Sequence, residues 1–467
     1  MSSPSPRSFL AEGESIARLA APIALAQLGL VAMGLVDTAV LGRTGPTELA
    51  GGAIGRNIGF GAATMQIGIA LAVEPLASQA IGAGDHRRAW SALTTTLKTL
   101  AMLWIPTVLA AFVFSLGLEA LGTDAAVASK ARWFLLGQAP GLFFHGAFLA
   151  GRSYVQAHGR SLPMLIASLV ANVVNVLVCN VLVRGDDALV GIGLAPLGLP
   201  KLGAFGSGIA GSVGGLVIVG IVLYSARALR DGSARTPRPE SDVSMRDVWK
   251  LGWPIALHMG AEIGVFTTMS VLTAAWGPTV VAAHQIALGL ASFTFMGALG
   301  VSGATAARVG RAFGAKEDTR RPGLVGIALG MLVMSIGAVA FLAVPNGLVH
   351  LFTDDGAVAA VGVRLLGLAA LFQLFDGAQA VASGALRGVG DVRFSFVAGV
   401  IAYWLIGAPI AIGLGFGLHM GAYGLWIGLT VGLVAAALAL SARFWWISRE
   451  RPNGAAAIIE TAPAPAP

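Results

Sequence analysis

The apolar runs of this sequence constrain its fold more than any other feature. About twelve of them reach the roughly 20 residues that a helix needs to cross the hydrocarbon core of a bilayer, and short polar segments separate them. Charged residues make up 11% of the chain and hydrophobic residues 56%, whereas soluble proteins average about 25% charged residues. The sequence therefore predicts an all-α membrane protein that crosses the bilayer many times.

The two halves of the chain repeat each other. The tetrapeptide PIAL at 22–25 recurs at 254–257, and the tripeptide GPT at 45–47 recurs at 277–279 with the same offset. Two identical anchors in one register indicate a duplicated chain. With six helices in each half, both repeats share one orientation. We therefore expect two pseudo-symmetric six-helix lobes, related by an axis along the membrane normal, with a substrate cavity between them.

This repeat predicts the division of the chain. We expect an N-lobe of six helices at 1–230, a polar cytoplasmic linker at 231–247, a C-lobe of six helices at 248–449 and a disordered tail at 450–467. Most of the 30 lysine and arginine residues lie at the ends of apolar runs that face the same side of the membrane as the N-terminus. The positive-inside rule then places both termini in the cytoplasm.

The charge distribution, the cysteine count and the motifs of the sequence exclude several function classes. The net charge of +7 is spread over helix ends rather than gathered with aromatic residues in a patch, which argues against nucleic-acid binding. The single cysteine, Cys179, excludes an internal disulfide and a multi-cysteine metal site. The patterns GxxxxGK[ST], HExxH and CxxC do not occur. We therefore expect neither an enzyme nor a bound cofactor.

Acidic residues inside the apolar runs are the best candidates for function. A charged side chain at the bilayer centre costs about 2.5–3.5 kcal/mol on insertion scales, so such residues normally face the protein interior and serve a function. Buried carboxylates can exchange protons, or can hold Na⁺ together with amide or backbone oxygens, as hard cations require. The four acids of this kind are Asp37, Glu74, Glu262 and Asp376.

A structural alternative accompanies each acid. Asp37 lies near the end of its run and could be a near-surface acid beside Arg43. Glu262 could make a hydrogen bond in helix packing, and Asp376 could belong to a structural polar cluster. Glu74 precedes a proline close to the cytoplasmic end of its run. For Glu74 we expect the structural role, in which it pairs with a nearby base or serves a kink.

Polar residues of the fifth helix offer further ligands. Asn172 and Asn175 are three apart and share one helix face, and interhelical hydrogen bonding explains such a pair as well as ion ligation does. A histidine inside an apolar run, such as His284, is expected to be hydrogen-bonded structure.

Aromatic residues and methionines concentrate on the seventh and eighth helices. Such side chains suit a pocket that accepts flat organic cations through stacking and cation–π contacts, whereas the alternative is ordinary lipid-facing or core packing. The predicted substrate-cavity residues are Met259, Phe266, Met269, Gln285, Phe293 and Met296.

Three motifs carry a family resemblance. They are VDTAVLGRTGPTELAG at 36–51, VEPLASQAIGAGD at 73–85 and FDGAQAVASGALRGVGD at 375–391. Together they resemble the MATE (multidrug and toxic compound extrusion) family, in its NorM-like branch. This resemblance implies the MATE/MOP-type fold of a monomer in a bacterial inner membrane. It also implies export of organic, cationic compounds by alternating access, driven by inward Na⁺ or H⁺.

The resemblance also implies which residues couple to the ion. Asp37 carries over as the cation residue of the first lobe, and Glu262 and Asp376 carry over to the second lobe. The family's fifth helix has two polar residues four apart; Asn175 fits the first position, but Cys179 occupies the second. A thiol is a poor ligand for a hard cation. The sequence therefore does not decide whether Asp37 and Asn175 form a Na⁺ site. Asn172 and Asn180 are the substitute ligands.

Two other functions remain as alternatives. A flippase for a lipid-linked precursor would share the helix architecture but needs a cationic cavity, and the candidate interior charges here are acidic. A non-transporting membrane receptor or scaffold would not need acids inside the membrane in both halves.

Overall fold

The computed structural model describes residues 9–191, 193, 195–231 and 242–450. Within this part of the chain the secondary structure is helical, without strands. The linker predicted at 231–247 lies outside the described residues from 232 to 241, and its last three residues already belong to a helix. The tail predicted at 450–467 lies outside them after its first residue.

Twelve helices in the described part of the chain are long and apolar enough to cross a membrane. The first six, α1 to α6, are Phe9–Gly42, Pro46–Gly82, His86–Leu116, Ala125–Ala157, Leu162–Arg184 and Gly203–Arg230. The second six, α7 to α12, are Met245–Trp276, Pro278–Gly314, Arg320–Ala343, Gly356–Val389, Val392–Gly417 and Ala422–Arg449. The prediction of an all-α membrane protein with about twelve spanning helices is confirmed.

The repeated GPT motif marks the start of the second helix in each half. Gly45 and Gly277 have φ angles of 131° and 88°, in a region that glycine adopts without steric cost. The proline that follows each glycine occupies the first helical turn of α2 or α8, where its missing N–H is not needed. The motif recurs because both halves make the same sharp entry into a helix.

Aspartate caps show the same duplication. Asp124 accepts hydrogen bonds from the backbone N–H groups of Ala126 and Val127 at the start of α4. Asp355 accepts from Ala357 and Val358 at the start of α10, the fourth helix of the second half. Each carboxylate satisfies backbone donors that the helix leaves unpaired.

Glycines bring corresponding helix pairs together in the two halves. A Cβ added at Gly55 of α2 would lie 2.9 Å from the carbonyl oxygen of Ala131 on α4. A Cβ added at Gly388 of α10 would lie 2.7 Å from the carbonyl oxygen of Ala306 on α8. Small residues allow such close packing of membrane helices, and larger side chains at these two positions would force the helices apart.

The chain divides into two compact units. Unit 1 comprises the described parts of Met1–Ala24, Glu74–Ala89 and Leu257–Pro467, and unit 2 comprises Leu25–Val73 and Trp90–Ala256. The boundaries inside α1 and α7 fall at equivalent positions of the repeat, just after the PIA of each PIAL motif.

The helix α11 departs from α-helical geometry. Residues Ile401–Gly407 and Gly413–Gly417 form π-helical segments, separated by the short α-helical stretch Ala408–Ile412. Short π-helical segments are rare and occur frequently at functional sites.

A buried ion pair in unit 1 fixes the beginning of α1. Arg308 of α8 donates to both carboxylate oxygens of Glu12, with distances of 2.6 to 2.8 Å. The side chain of Glu12 is only 5% exposed and that of Arg308 is 21% exposed. Two residues further along α1, Glu14 pairs with Arg18, and both of these side chains are mostly exposed.

These neighbouring pairs provide a matched test of stability. Glu12→Gln is expected to lower the free energy of unfolding by about 3–5 kcal/mol, because it leaves a partly buried guanidinium without its counter-charge. Glu14→Gln is expected to change it by about 0–1 kcal/mol, since exposed ion pairs contribute little. Thermal unfolding of the purified protein in detergent measures both, and equal melting temperatures for the two variants would contradict this account.

Candidate functional site

Apart from Asn172 and Asn180, the predicted ion-coupling residues fall into two groups, one within each unit. The Asp37 cluster, in unit 2, consists of Asp37, Arg56, Asn175 and Cys179. The Glu262 cluster, in unit 1, consists of Glu262, Asp376, Gln379 and Tyr403. Arg56, Gln379 and Tyr403 were not among the residues that the sequence analysis selected.

Asp37 is a buried carboxylate rather than a near-surface one. Its residue is 6% exposed, while Asn175 and Cys179 are 0% exposed. Both side chains come from α5 and lie next to the Asp37 carboxyl group. Hydrogen-bond geometry is nevertheless not reached at Asp37 Oδ1 or at either polar atom of Asn175 among the described residues. Buried polar atoms without a hydrogen-bond partner cost free energy. A proton or a bound ligand at this cluster would reduce that cost.

Arg56 of α2 is the basic residue whose positive charge interacts with the Asp37 carboxylate. Its Nη1 donates to the carbonyl oxygen of Gly34 at 2.8 Å and to Oγ1 of Thr38 at 3.1 Å. The guanidinium carbon lies 6.0 Å from the centroid of the Phe134 ring. Arg43, the base that the sequence placed nearest to Asp37, is exposed.

The other asparagines of α5 make hydrogen bonds elsewhere. Asn172 Nδ2 donates to the carbonyl oxygen of Gly29 on α1 at 2.9 Å and to that of Ser168 at 2.8 Å. Asn180 Nδ2 donates to the carbonyl oxygen of Val176 on its own helix at 2.9 Å. These contacts match the structural alternative for Asn172, and they leave Asn175 as the asparagine beside Asp37.

Glu262 of α7 and Asp376 of α10 lie close enough for their like charges to interact. The charges of both carboxylates also interact with the Tyr403 hydroxyl group, which lies beside the side chain of Gln379. Asp376 is 6% exposed and Tyr403 is 3% exposed. Tyr403 belongs to the first π-helical segment of α11. Two negative charges in a buried site repel each other strongly, so a proton or cation that enters the cluster relieves this repulsion.

Glu74 pairs with a nearby base, which is one of the two arrangements that the sequence analysis expected for it. Its carboxylate oxygen Oε2 accepts from Nε of Arg387 at 3.0 Å within unit 1. The same guanidinium donates to the hydroxyl groups of Ser383 at 3.3 Å and Ser302 at 3.2 Å. Glu74 is therefore half of a buried ion pair.

His284 is hydrogen-bonded at both ring nitrogens. The indole N–H of Trp426 donates to Nδ1 at 3.1 Å, and the Ser270 hydroxyl lies 2.9 Å from Nε2. Because an indole N–H is only a donor, Nδ1 accepts and Nε2 carries the proton. This arrangement matches the structural expectation for His284.

The predicted substrate-cavity residues differ in their surroundings. Met269 is 0% exposed and belongs to the hydrophobic core of unit 1. Phe266 packs against that core and makes an edge-to-face contact with Phe372, with ring centroids 5.8 Å apart. Met259 and Met296 are partly exposed, and Phe293 and Gln285 are exposed. Their role in substrate binding stays a prediction.

The duplication of the chain also appears in its relationship to known proteins. The MatE family model matches residues 22–181 and again 254–412. Each match begins at the proline of a PIAL motif, and together the matches cover more than half of the chain. The chain belongs to the MATE family.

Curated relatives of this family member extend over almost the whole chain. The probable multidrug resistance protein NorM of Pseudomonas putida is 35% identical over 459 residues, covering 93% of this chain and 94% of that protein. The probable multidrug resistance protein NorM of Deinococcus radiodurans is 35% identical over 453 residues, covering 95% and 97%.

Solved structures of MATE transporters share the fold. The eukaryotic MATE transporter AtDTX14 matches with a TM-score of 0.81 at 23% identity, over 95% of this chain and 99% of that one. The bent form of the Vibrio cholerae MATE transporter VcmN also gives a TM-score of 0.81, at 19% identity, over 95% and 98%. Membership in this family makes the chain a multi-pass membrane transporter rather than an enzyme.

Proposed function

We propose that this MATE protein is a secondary active antiporter that exports organic, cationic compounds in exchange for Na⁺ or H⁺ by alternating access. The observation that carries the proposal is the presence of acidic residues within each unit: the buried Asp37 in one, and the buried Asp376 with the partly buried Glu262 in the other. The relatives named as multidrug resistance proteins support the substrate class.

The carboxylates supply the coupling in this mechanism. In the outward-facing state the incoming cation binds at Asp37, or at Glu262 and Asp376, and lowers the affinity for the exported compound, which is released. In the inward-facing state the cation leaves and the compound binds from the cytoplasm or the inner leaflet. Binding alone cannot drive this exchange, because each ligand must prefer one of the two states.

Charge chemistry favours this function over both alternatives. A flippase for a lipid-linked pyrophosphate would need clustered cations, whereas the Glu262 cluster contains two carboxylates. A receptor or scaffold would gain nothing from buried acids that cost free energy to insert. We also propose that the protein is a monomer in a bacterial inner membrane. The distribution of basic residues supports an orientation with both termini in the cytoplasm.

The test is efflux from proteoliposomes that contain the purified full-length protein. Vesicles are loaded with ethidium, a planar organic cation, and a Na⁺ gradient or a pH gradient is imposed alone. We expect one of the two gradients to drive ethidium movement, and protein-free vesicles to show none. Equal leakage with and without the protein under both gradients would refute the antiport proposal.

A further inference from the structure

Two arginines approach one exposed tryptophan where the beginning of α9 meets the end of α12. The guanidinium carbon of Arg320 lies 3.7 Å from the centroid of the Trp445 ring, and that of Arg449 lies 5.7 Å from the same ring. Trp445 is 40% exposed. We call these three residues the Trp445 cluster, and all of them belong to unit 1.

Helix packing fixes the position of the Trp445 cluster. The buried ring of Phe444 lies against Gly323 of α9, where an added Cβ would collide with it. The absence of a side chain at Gly323 therefore lets the two helix ends approach closely. Trp445 follows Phe444 and is exposed, and Arg449 lies one helical turn later on the same face. Arg320 lies in the first turn of α9, just before Gly323.

The two arginines of the Trp445 cluster carry positive charges without a counter-charge nearby. Among the side chains that the structure describes, neither guanidinium takes part in an ion pair. The acid closest to Arg320 in sequence, Asp318, accepts from the Arg320 backbone N–H at 2.9 Å. Because both guanidinium distances refer to one ring, the two charges are at most about 9 Å apart, close to the Debye length of about 10 Å in 0.1 M salt. They repel each other, and an anion bound between them would relieve this repulsion.

The adjacent tryptophan shows a neutralised form of the same contact. Arg443 lies over the rings of Trp446 and Phe394, at 5.1 and 5.0 Å from their centroids. Its Nε also donates to Oδ2 of Asp391 at 2.8 Å. Arg443 thus has its own carboxylate, whereas the Trp445 cluster has two arginines and, within the described part of the chain, no carboxylate paired with either.

We propose that the Trp445 cluster binds the phosphate group of an anionic phospholipid. Each guanidinium presents N–H donors in a planar fork that matches phosphate oxygens, and the hydrogen bonds are strengthened by charge. The indole ring holds the arginines by cation–π contact. Basic pockets at the ends of membrane helices bind anionic head groups in this way. The inference is independent of the proposed antiport function, because it concerns a lipid at the protein surface.

An exposed apolar face continues from the Trp445 cluster along both helices. On α12, Leu438 and Val431 lie two and four helical turns before Trp445 on its face, and both are exposed. On α9, Met331 lies three turns after Arg320 and is also exposed. An acyl chain can lie along this face while its phosphate contacts the arginines. The arrangement therefore favours a lipid over free inorganic phosphate.

Lipid binding to the purified full-length protein tests the proposal. Dioleoyl phosphatidylglycerol is titrated into the protein in dodecyl maltoside, and native mass spectrometry gives the apparent Kd of the first bound lipid. In the variant with Arg320→Gln and Arg449→Gln, we expect this Kd to rise by about tenfold or more, because both charges and both donor forks are lost. An unchanged Kd in the folded variant would overturn the proposal.

A matched control removes two arginines elsewhere. Arg160→Gln with Arg246→Gln neutralises two exposed side chains at other helix ends and is expected to leave the apparent Kd unchanged. An equal loss of affinity in this control would show attraction to net charge alone and would overturn the site. If the variant of the Trp445 cluster does not fold, the single change Arg449→Gln at an exposed position replaces it, with the same direction expected.

Two further measurements identify the ligand and its location. Phosphatidylglycerol with brominated acyl chains quenches nearby indole fluorescence, and we expect Trp445→Phe to remove part of that quenching. Dioleoyl phosphatidylcholine, whose head group has no net charge, and excess inorganic phosphate are each expected to displace little of the bound phosphatidylglycerol. Displacement by inorganic phosphate would indicate a free-anion site, and displacement by phosphatidylcholine would indicate binding without charge recognition. Either result would contradict an anionic lipid as the ligand.

Discussion

Replacing Asp37 by asparagine is expected to abolish efflux while leaving the amount of protein in the membrane unchanged. Asparagine has nearly the same shape, but it can neither release a proton nor carry the negative charge that attracts a cation. Because the site is 6% exposed, bulk water cannot replace that function. The initial rate of ethidium efflux should fall by about a hundredfold or more, which corresponds to about 2.7 kcal/mol.

Cells that express the variant provide the measurement. Efflux and drug resistance are compared with wild type after membrane abundance has been matched. The control is Glu317→Gln, which neutralises an exposed carboxylate in the turn after α8 and should keep wild-type activity. Full resistance with Asp37→Asn would show that this carboxylate does not take part in coupling.

The second large effect is expected for Glu262→Gln, which should also abolish efflux at normal expression. The Glu262 and Asp376 carboxylates share one buried cluster, so removing one charge removes the repulsion that a cation relieves. The fold itself should tolerate the change, because the loss of repulsion between Glu262 and Asp376 offsets the loss of attraction between Glu262 and Arg387. We expect the melting temperature in detergent to stay the same or rise while transport is lost.

A double-mutant cycle checks that the two carboxylates act as one unit. If they do, Glu262→Gln combined with Asp376→Asn should be no more impaired than either single variant, since groups that act together are not additive. Initial rates of efflux in proteoliposomes give the four corners of the cycle. Single variants with wild-type rates, or losses that multiply in the double variant, would contradict a shared site.

The fold and the acidic residues could be predicted because both leave a local signal. An apolar run of spanning length shows its helix directly, and a carboxylate inside such a run is conspicuous. The repeated GPT motif has an equally local cause, a glycine with positive φ before a helix that begins with proline. These features depend on neighbours in sequence rather than on packing.

The surroundings of Asp37 were harder to predict because they depend on helix rotation and packing. Asn175 and Cys179 are one helical turn apart and share the face toward Asp37, whereas Asn180 points about 140° away from Asn175 at 100° per residue. That difference was available from the sequence. The contact of Arg56 with α1 was not, because sequence periodicity does not determine which helix an arginine on α2 will reach.

Tyr403 could not be predicted from the sequence because its orientation depends on a π-helical turn. A π-helical turn holds one surplus residue compared with an α-helical turn, and Tyr403 lies in such a turn at Ile401–Gly407. Deleting one residue there would let an ordinary α-helix form and would rotate one end of α11 against the other by about 100°. The phenol would then turn away from its acidic neighbours. The number of residues in this turn therefore determines the direction of the Tyr403 hydroxyl group as much as their identity does.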